Sequence, residues 1–361
     1  PQEFLLIYFH VSNNHMETKI PVVILGATGS VGQKFVELLK NHPWFKIAAL
    51  CASERSAGKP YKEAVNWFQS SELPEHIGRM IVQPCDATVV GRLAFSGLDA
   101  SVAGSIEQAY ARAGYTVISN SRNHRDHPDV PLLVPEINAA HLALIEGQRF
   151  GDGAIITNPN CSTIGLVMAL KPLVDAFGVR EVSVVTMQAL SGAGYPGVSS
   201  LDILDNAVPF IGGEEEKMEK EPLKIFGDLI NGQVEPAVMN ISATCNRIAV
   251  VDGHMGCVSV RLGRSASAQQ VIEAWEDYRA EPQQMGLPMA PERPVRYFHE
   301  DNYPQPRKHR MLDKGMAVSI GRLRPCSILD WKFTLLSHNT IRGAAGGAIL
   351  NAELMAEMGL L

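Results

Sequence analysis

The sequence predicts an α/β protein with a doubly wound, Rossmann-type nucleotide domain, followed by an α+β domain with a mixed or antiparallel sheet. Three observations lead to this prediction. A fully apolar run is followed directly by a glycine-rich loop and a helix. Short apolar runs then alternate with helical stretches, as in parallel sheets. Beyond about residue 157 the strands alternate apolar and polar residues, and 361 residues suffice to bury two cores.

Composition and charge argue against several classes of partner. The chain has 46% hydrophobic and 19% charged residues and a net charge of −6, which gives no reason to expect nucleic acid or an anionic membrane. No apolar stretch is long enough to span a bilayer. The six cysteines lack C-x-x-C spacing, so neither a metal site nor a disulfide framework is indicated. We expect a reduced, cytoplasmic protein.

The beginning of the sequence carries an apolar run, residues 4–9, that resembles a signal-peptide core. It lacks a basic segment before the run and a small-residue cleavage site after it. We therefore interpret residues 1–15 as a leader or an added extension, and expect the fold to begin at residue 16.

The first strand and helix enclose a nucleotide-binding motif. The apolar run Pro21–Leu25 is followed by Gly26-x-x-Gly29-x-x-Gly32, and a helix continues to about Lys40. In this context the glycines permit a tight turn and bring backbone N–H groups to a pyrophosphate. The leading ligand is therefore a dinucleotide.

The second strand is predicted over 46–52, and the residues after it select the dinucleotide. An NAD site presents an acidic residue there, to the ribose 2′-hydroxyl. This chain instead has Ser53, Arg55 and Ser56, which suit a 2′-phosphate. NADP is favoured, although Glu54 leaves NAD open. Further apolar segments at 79–83, 89–95 and 116–119, with a helix over 105–113, complete the first domain.

A cysteine at a helix start is the candidate nucleophile. Cys161 follows Asn158-Pro159-Asn160 and precedes a helix predicted over 162–177. Unpaired backbone N–H groups and the helix dipole favour a thiolate at this position. The alternative is an unreactive buried cysteine.

The second half contains further predicted elements. We expect a long strand over 181–190 and helices over 267–280 and 339–358. Strands at 248–251 and 257–262 are predicted to form a hairpin through Asp252-Gly253, and two more are expected at 317–323 and 329–336. The proline-rich stretch 281–307 is interpreted as an excursion or a subunit contact. The small residues 343–348 indicate close helix packing or contact with a cofactor.

Four polar clusters accompany Cys161: 121–124 with Arg122 and Asn123, 188–197 with Gln188, 214–217 with Glu214 and Lys217, and the pair Arg247 and His254. Each has a structural alternative, because charge runs are usually solvated helix faces and a lone histidine is usually structural. Taken together with the glycine-rich loop, residues 53–59, 160–163 and 339–346, the set resembles the aspartate-β-semialdehyde dehydrogenase family, in its archaeal and fungal-like branch. The resemblance covers residues 20–361. Ala249 departs from the pattern, since many relatives carry proline there.

The resemblance implies a reaction and a division of roles. The family interconverts L-aspartyl-4-phosphate and L-aspartate 4-semialdehyde with NADP and phosphate, in the synthesis of aspartate-derived amino acids. It implies the following site residues: Cys161 as nucleophile, His254 as general acid/base, Gln188 to orient the reacting group, Asn160 and the Cys161 N–H for the oxyanion, Arg247 for the substrate carboxylate, Glu214 for its ammonium, and Lys217, Arg122 and Asn123 for phosphate.

The implied cofactor contacts are Gly26, Thr28, Gly29, Ser30, Val31, Gly32, Ser53, Arg55, Ser56, Ser96, Gly97, Ser191, Gly192 and Asn339. The implied domains are a nucleotide domain over 16–157, a catalytic and dimerisation domain over 158–338, and a C-terminal helix, 339–361, returning to the first. A homodimer or homotetramer is expected.

Physical reasoning supports the chemistry independently of the resemblance. A thioester divides the reaction into a hydride transfer and a phosphate displacement. The oxyanion at each stage needs preorganised donors, which a helix start supplies. An imidazole can exchange a proton near neutral pH.

Other functions remain open at this point. A malonyl-CoA-type reductase shares the thioester chemistry but needs no ammonium-binding Glu214. An N-acetylglutamyl-phosphate reductase acts on an acylated amine, for which that carboxylate has no use. A cysteine hydrolase is a further alternative, but the glycine-rich loop would have no role in it. A catalytically silent paralogue is another, but it would not need to keep Cys161 together with its polar partners.

Overall fold

The structure is a computed structural model that describes residues 18–361. The predicted extension, 1–15, and the predicted domain start at residue 16 lie outside the described residues. None of the helices within 18–361 is both long and apolar enough to cross a membrane.

The helices are α1 Ser30–Leu39, α2 Tyr61–Ala64, α3 Glu75–Gly78, α4 Ala100–Arg112, α5 Pro135–Asn138, α6 Cys161–Phe177, α7 Ser200–Ile203, α8 Glu214–Ile225, α9 Ala268–Glu276, α10 Glu281–Gln284, α11 Pro306–His309 and α12 Gly346–Glu357. The strands are β1 Ile20–Leu25, β2 Phe45–Ala52, β3 Gln83–Pro84, β4 Leu93–Ser96, β5 Thr116–Ser119, β6 Ala154–Thr157, β7 Val179–Gln188, β8 Ala207–Val208, β9 Asp228–Ile230, β10 Gln233–Glu235, β11 Asn240–Ile248, β12 His254–Leu262, β13 Val295–Phe298, β14 Val318–Pro325 and β15 Trp331–Ser337.

The first sheet is parallel and has the order β3-β2-β1-β4-β5-β6. Its strands are buried on both faces, which explains why β1 and β6 read as continuous apolar runs. The chain reverses its direction of travel across the sheet between β1 and β4. A crevice therefore opens at the carboxyl ends of these two strands, where doubly wound sheets bind their ligands. The predicted Rossmann-type domain is confirmed.

The second sheet is mixed, with the order β13-β14-β15-β12-β7-β11-β8. The fifth strand of this order, β7, pairs in parallel with β11 and antiparallel with β12. The α6 helix is almost entirely buried and packs on this sheet, where Leu166 and Leu170 share a core with Val184 and Val258. The mixed sheet agrees with the predicted fold class.

The predicted hairpin over 248–262 is wrong. The strand that ends at Ile248 begins at Asn240, and residues 249–253 form a connection rather than a strand. β11 and β12 are not neighbours, because β7 lies between them. The proline-rich stretch also differs from the prediction, since Val295–Phe298 adds an edge strand to the sheet.

The C-terminal segment packs back into the first core. A π-helical turn, Ile341–Ala345, precedes α12. Ile349 and Leu350 lie in the same apolar cluster as Phe35 of α1. Close helix packing, one of the two predicted alternatives, therefore accounts for the small residues of this segment, since an added Cβ at Gly343, Gly346 or Gly347 would clash with neighbouring atoms.

A buried ion pair holds the π-helical turn in place. Arg342 is fully buried and contacts Glu136 of α5 through two bonds, Nη1–Oε1 at 2.6 Å and Nη2–Oε2 at 2.7 Å. The Glu136 carboxylate is equally inaccessible to water. Such a pair is costly to break, because removing one partner leaves the other charge buried and unpaired.

We expect Arg342→Met to lower the free energy of unfolding by about 3–5 kcal/mol, because Glu136 would lose its counter-charge. Urea denaturation followed by tryptophan fluorescence measures the change. Arg261→Met is the matched control: it breaks the half-exposed pair with Glu181 and should cost much less. Equal losses in the two variants would contradict this prediction.

Candidate active site

Three strand ends meet at one point of the mixed sheet. Gln188, the last residue of β7, pairs with Arg247 on β11. On the other side of β7, Met187 pairs with Met255, so His254 begins β12 beside Gln188. Paired residues on neighbouring strands share a face of the sheet, so these three side chains form one row. Arg247 and His254 therefore lie close together because each of their strands pairs with β7, and not because they belong to one hairpin.

Cys161 is the first residue of α6 and faces this row. Its Sγ lies 3.3 Å from Nε2 of His254. Asn160 caps the helix, because its Oδ1 accepts from the N–H groups of Ser162 at 2.9 Å and Thr163 at 3.3 Å. The backbone of Gly343 closes the other side, where an added Cβ would lie 2.9 Å from the Cys161 Cβ.

The environment of His254 selects one ring tautomer. The Ala189 N–H donates to Nδ1 at 3.0 Å, so the proton of the neutral ring lies on Nε2 and points to the Cys161 sulfur. Burial, together with the nearby charges of Arg247 and His338, lowers the pKa of His254 to about 3. The ring is therefore neutral at physiological pH and donates a hydrogen bond to sulfur.

The Cys161 thiol is protonated in the free protein. Burial and the negative charge of Glu214 raise its pKa to about 12, against the opposing charges of Arg125, Arg247 and Lys217. The thiolate predicted from the helix start is thus not the resting form, because desolvation outweighs the helix start. A cation paired with Glu214 would lower this pKa, whereas an anion beside the sulfur would raise it further.

A loop after β7 covers the row. The Ala189 C=O accepts from Nη1 of Arg247 at 2.7 Å, so one residue holds both Arg247 and His254. At Gly192 a Cβ would lie 2.8 Å from that Nη1, which leaves no room for a side chain. Further along, Tyr195 stacks on Phe68 of the nucleotide domain with ring centroids 5.2 Å apart.

Two of the predicted substrate ligands bind each other. Lys217 Nζ lies 2.7 Å from Glu214 Oε1, and Asn160 Nδ2 lies 3.0 Å from both Glu214 oxygens. The Asn160 amide is thus engaged by the helix cap and by Glu214. The amide nitrogen has two N–H donors and Glu214 engages it, so its predicted oxyanion role stays a prediction. Gln188 is buried and donates to Thr186 at 3.3 Å.

The structure places Arg125, rather than Arg122, beside the nucleophile. Arg122 is exposed, and its charge acts on Asp99. Asn123 is also exposed, with Nδ2 donating to the Ala100 C=O at 2.9 Å. Arg125 is buried, and its charge lowers the pKa of Cys161. Arg122 and Asn123 thus lie on the exposed side of this loop and Arg125 on its buried side, and the phosphate role of Arg122 and Asn123 stays a prediction.

Arg125 and Glu221 are the site residues that the sequence reasoning missed. Glu221 accepts from Nη1 of Arg125 at 2.8 Å and from the Asn160 N–H at 2.7 Å. A signal was present, because Glu221 follows Glu214 by seven residues and so shares its helix face. Arg125 lies only three residues beyond Arg122.

The crevice between β1 and β4 fits a dinucleotide. A Cβ added to Gly26 would lie 2.8 Å from the backbone oxygen of Gly97. A Cβ added to Gly32 would lie 2.1 Å from the backbone oxygen of Gly26. Glycine at 26 therefore permits the close approach to the loop after β4, and glycine at 32 permits the tight turn into α1. The α1 helix has Gly29 at its N-cap, with no side-chain cap and no acidic residue in the first turn. Its N–H groups suit a pyrophosphate.

The other predicted cofactor residues occupy different settings. Thr28, Ser30 and Val31 are partly exposed at the start of α1, and Ser53, Arg55 and Ser56 lie in the accessible loop after β2. Ser96 requires a correction: its buried hydroxyl donates to Glu107 at 2.6 Å, so only its backbone borders the crevice.

Asn339 ties the covering loop to the body of the protein. Its Nδ2 donates to Ser191 Oγ at 2.7 Å, and its Oδ1 accepts from the Gly253 N–H at 2.9 Å. Next to this link is a cavity of about 610 Å³, lined by Ser30 of α1, Ser191 and Thr340 among others. Its volume suits part of a dinucleotide. Within residues 18–361 no cluster of His, Cys, Asp or Glu could hold a metal ion.

Comparison with known families gives two matches along the chain. Residues 21–145 match the semialdehyde dehydrogenase NAD binding domain, and residues 170–342 match the semialdehyde dehydrogenase dimerisation domain. The chain is 50% identical over 346 residues to the aspartate-semialdehyde dehydrogenase of Methanothermobacter thermautotrophicus, covering 94% of this chain and 99% of that one. It is likewise 50% identical over 353 residues to that of Schizosaccharomyces pombe, covering 94% and 99%.

Solved structures agree with these relationships. The crystal structure of aspartate semialdehyde dehydrogenase with NADP from Candida albicans is 42% identical, with a TM-score of 0.88, covering 95% of this chain and 100% of that one. Aspartate semialdehyde dehydrogenase II complexed with ASA from Vibrio cholerae is 28% identical, with a TM-score of 0.74, covering 94% and 99%.

We expect Glu214→Gln to accelerate alkylation of Cys161 by iodoacetamide several-fold at pH 8. The Glu214 charge raises the pKa of Cys161, so its removal lowers that pKa, and each unit increases the thiolate fraction about tenfold. Mass spectrometry of the Cys161 peptide, without substrate, measures the rate.

The exposed Cys257 serves as internal reference in the same digest. Glu216→Gln, on the exposed face of the same helix, is the control for a lost charge. An unchanged or slower rate for Glu214→Gln would show that this carboxylate does not govern the thiol.

Proposed function

The chain belongs to the aspartate-semialdehyde dehydrogenase family, and we propose that it interconverts L-aspartate 4-semialdehyde and L-aspartyl-4-phosphate, with NADP and inorganic phosphate, through a thioester on Cys161. The observation that carries this proposal is the contact of Cys161 with His254 at the meeting point of three strands, with cationic side chains nearby. A thiol with a donor and anion-binding groups around it suits acyl transfer to phosphate.

The start of α6 supplies the oxyanion donor. The Ser162 and Thr163 N–H groups bind Asn160 Oδ1, and the Ile164 N–H binds the Asn160 C=O. Of the first four helical N–H groups, that of Cys161 has no hydrogen-bond partner within residues 18–361 and therefore stays available to a substrate oxygen, as the resemblance implied. It adjoins the sulfur through the same residue, so attack at carbon places the oxyanion beside it.

His254 acts in this scheme as a donor at Nε2. The bond from the Ala189 N–H keeps Nδ1 an acceptor, so the ring offers its proton to the sulfur or to the developing oxyanion. To accept a proton at Nε2, the ring must carry its own proton on Nδ1, facing the Ala189 N–H. The acid role therefore fits the free protein, and the base role requires a shift of the covering loop.

The substrate is held by groups of opposite charge. Arg247 offers a planar guanidinium for the α-carboxylate, and Glu214 offers a carboxylate for the ammonium. The cations for phosphate are the buried Arg125 and Lys217. In the free protein Lys217 is paired with Glu214. Gln188 orients the reacting group from the end of β7.

The crevice at β1 and β4 fits NADP, which accepts the hydride from the substrate carbon when bound. The glycines at 26, 29 and 32 and the start of α1 would hold its pyrophosphate, and Ser53, Arg55 and Ser56 its 2′-phosphate. Gly97, Ser191, Gly192 and Asn339 remain proposed contacts. The catalytic and dimerisation domain is proposed to span 158–338.

The assembly and location are proposals too. The match to a dimerisation domain supports an oligomer, which we propose to be a homodimer or homotetramer. All six cysteines are unpaired, which agrees with a reducing compartment such as the cytoplasm.

We expect Cys161→Ala to lower NADPH formation from aspartate semialdehyde at least about a thousandfold, because no thioester can form. Absorbance of NADPH measures turnover, and fluorescence titration checks that NADP still binds. Cys257→Ala, which removes an exposed thiol of β12, should retain activity. Turnover above a trace in Cys161→Ala would refute the covalent mechanism. Turnover by the wild type without phosphate, but with coenzyme A, would favour an acyl-CoA reductase.

We expect Arg125→Lys to raise the KM for phosphate about 10- to 100-fold, since lysine keeps the charge but loses the guanidinium Nε–H donor and the bonds that hold it in place. The KM for semialdehyde should change little. Arg122→Lys tests the competing assignment in the same assay. A larger effect at Arg122 would restore the prediction made from the sequence.

A further inference from the structure

One face of α8 carries four charged residues in a regular series. Glu214, Lys217, Glu221 and Lys224 are spaced three, four and three residues apart, so they project from the same side of the helix. The first two are the proposed ligands for substrate ammonium and phosphate. The other two have no proposed contact with substrate, yet both bind the loop that carries Arg125.

Glu221 joins the anion-binding arginine to the nucleophile. Its side chain is 5% exposed. Oε1 accepts from Nη1 of Arg125 at 2.8 Å, and Oε2 accepts from the Asn160 N–H at 2.7 Å. Asn160 immediately precedes Cys161, so a single carboxylate fixes the distance between the guanidinium and the reacting sulfur.

Arg125 is held on two of its edges. Nη1 binds Glu221, and Nη2 donates to the Asn120 C=O at 2.8 Å. Nε is buried, and within the described part of the chain it has no hydrogen-bond partner. A buried donor without a partner is costly, and an anion at this edge would satisfy it. The Arg125 guanidinium is thus fixed in position, and its Nε–H stays available to bind an anion.

Lys224 shapes the loop from the other end of the series. Its Nζ donates to the carbonyl oxygens of Arg125 at 2.7 Å, His127 at 2.7 Å and Val130 at 2.9 Å. An ammonium has three protons, and all three are used here. The loop 125–130 is therefore wrapped around a cation, which fixes the backbone from which the Arg125 side chain extends.

We propose that Glu221 and Lys224 are positioning residues of the phosphate site, Glu221 by fixing the Arg125 guanidinium against the Cys161 segment and Lys224 by fixing the loop that carries it. This rests on the proposed function, in which Arg125 binds phosphate. Neither residue touches the substrate. Their effect is expected in the binding of one co-substrate and not of the other.

Glu221→Gln is the sharpest test. In either orientation the amide presents an N–H to one of two donors, the Asn160 N–H or the Arg125 guanidinium. The backbone N–H is fixed by the start of α6, whereas the guanidinium sits on a flexible side chain, so Arg125 is displaced. We expect the KM for phosphate to rise about tenfold or more, and the KM for semialdehyde to stay within about twofold.

Controls separate positioning from general damage. Glu216→Gln removes a charge from the exposed face of the same helix and should leave both KM values unchanged. Glu221→Gln leaves the buried Arg125 charge without its counter-charge, so its melting temperature should fall and the assays are run well below it, whereas its NADP binding should match the wild type. A fall in kcat with unchanged KM for phosphate would mean that Glu221 is merely structural, and would overturn the proposal.

Lys224→Met tests the same idea without disturbing Asn160, with the exposed Lys220→Met as control. We expect faster amide hydrogen exchange in residues 125–130 and a higher KM for phosphate. Normal exchange together with a normal KM would overturn the role of Lys224. If Arg125→Lys leaves the KM for phosphate unchanged, the phosphate site itself is wrong and this proposal falls with it. If Arg125→Lys raises that KM and neither Glu221→Gln nor Lys224→Met does, only the positioning roles are overturned.

Discussion

The site depends on one topological constraint, the position of β7 between β11 and β12. The three strands end level with one another, so Gln188, Arg247 and His254 reach the same place without any long side chain bridging a gap. The helix that carries Cys161 packs on the same sheet and starts at that place. Strand register is strongly specified where a face is buried, because a slip of one residue would reverse every side chain. Catalytic geometry is thus maintained by the same apolar packing that stabilises the domain.

Charge in this region is balanced within short distances. Three cations near the nucleophile each have a carboxylate or a set of carbonyl oxygens: Arg125 has Glu221, Lys217 has Glu214, and Lys224 has three carbonyls. The buried Arg247 donates to the Ala189 carbonyl. Balanced groups can be buried at tolerable cost, whereas an isolated charge could not. The resting thiol stays protonated in this setting, and Glu214 contributes to that state. Any change in the charge at Glu214 is therefore linked electrostatically to ionisation of the thiol.

Local chemistry was predictable from the sequence, and long-range pairing was not. The glycine-rich loop and the helix start at Cys161 depend on neighbouring residues, so both were assigned correctly. The hairpin prediction was wrong because the polar residues at the start of β11 were not recognised as part of a strand. In addition, the strand that pairs with β11 lies about sixty positions earlier in the sequence. Arg122 was preferred to Arg125 because the inward face of their loop is set by Lys224, 99 residues away from Arg125. The hydrogen-bond partners of Asn160, which are Glu214 and Glu221, likewise lie on α8, far away in the sequence.

The series on α8 also limits how this chain can change in length. An α-helix turns about 100° per residue, so inserting or deleting one residue between Lys217 and Glu221 would rotate Glu221 and Lys224 away from the loop together. Substitutions at Glu216 and Lys220 face water and leave this alignment intact. The exposed positions of α8 can therefore accept substitutions, whereas the number of residues between Glu214 and Lys224 is fixed by the helix geometry. A single-residue gap between Lys217 and Glu221 would therefore remove both contacts to the 125–130 loop at once, whereas a substitution at an exposed position of α8 would remove neither.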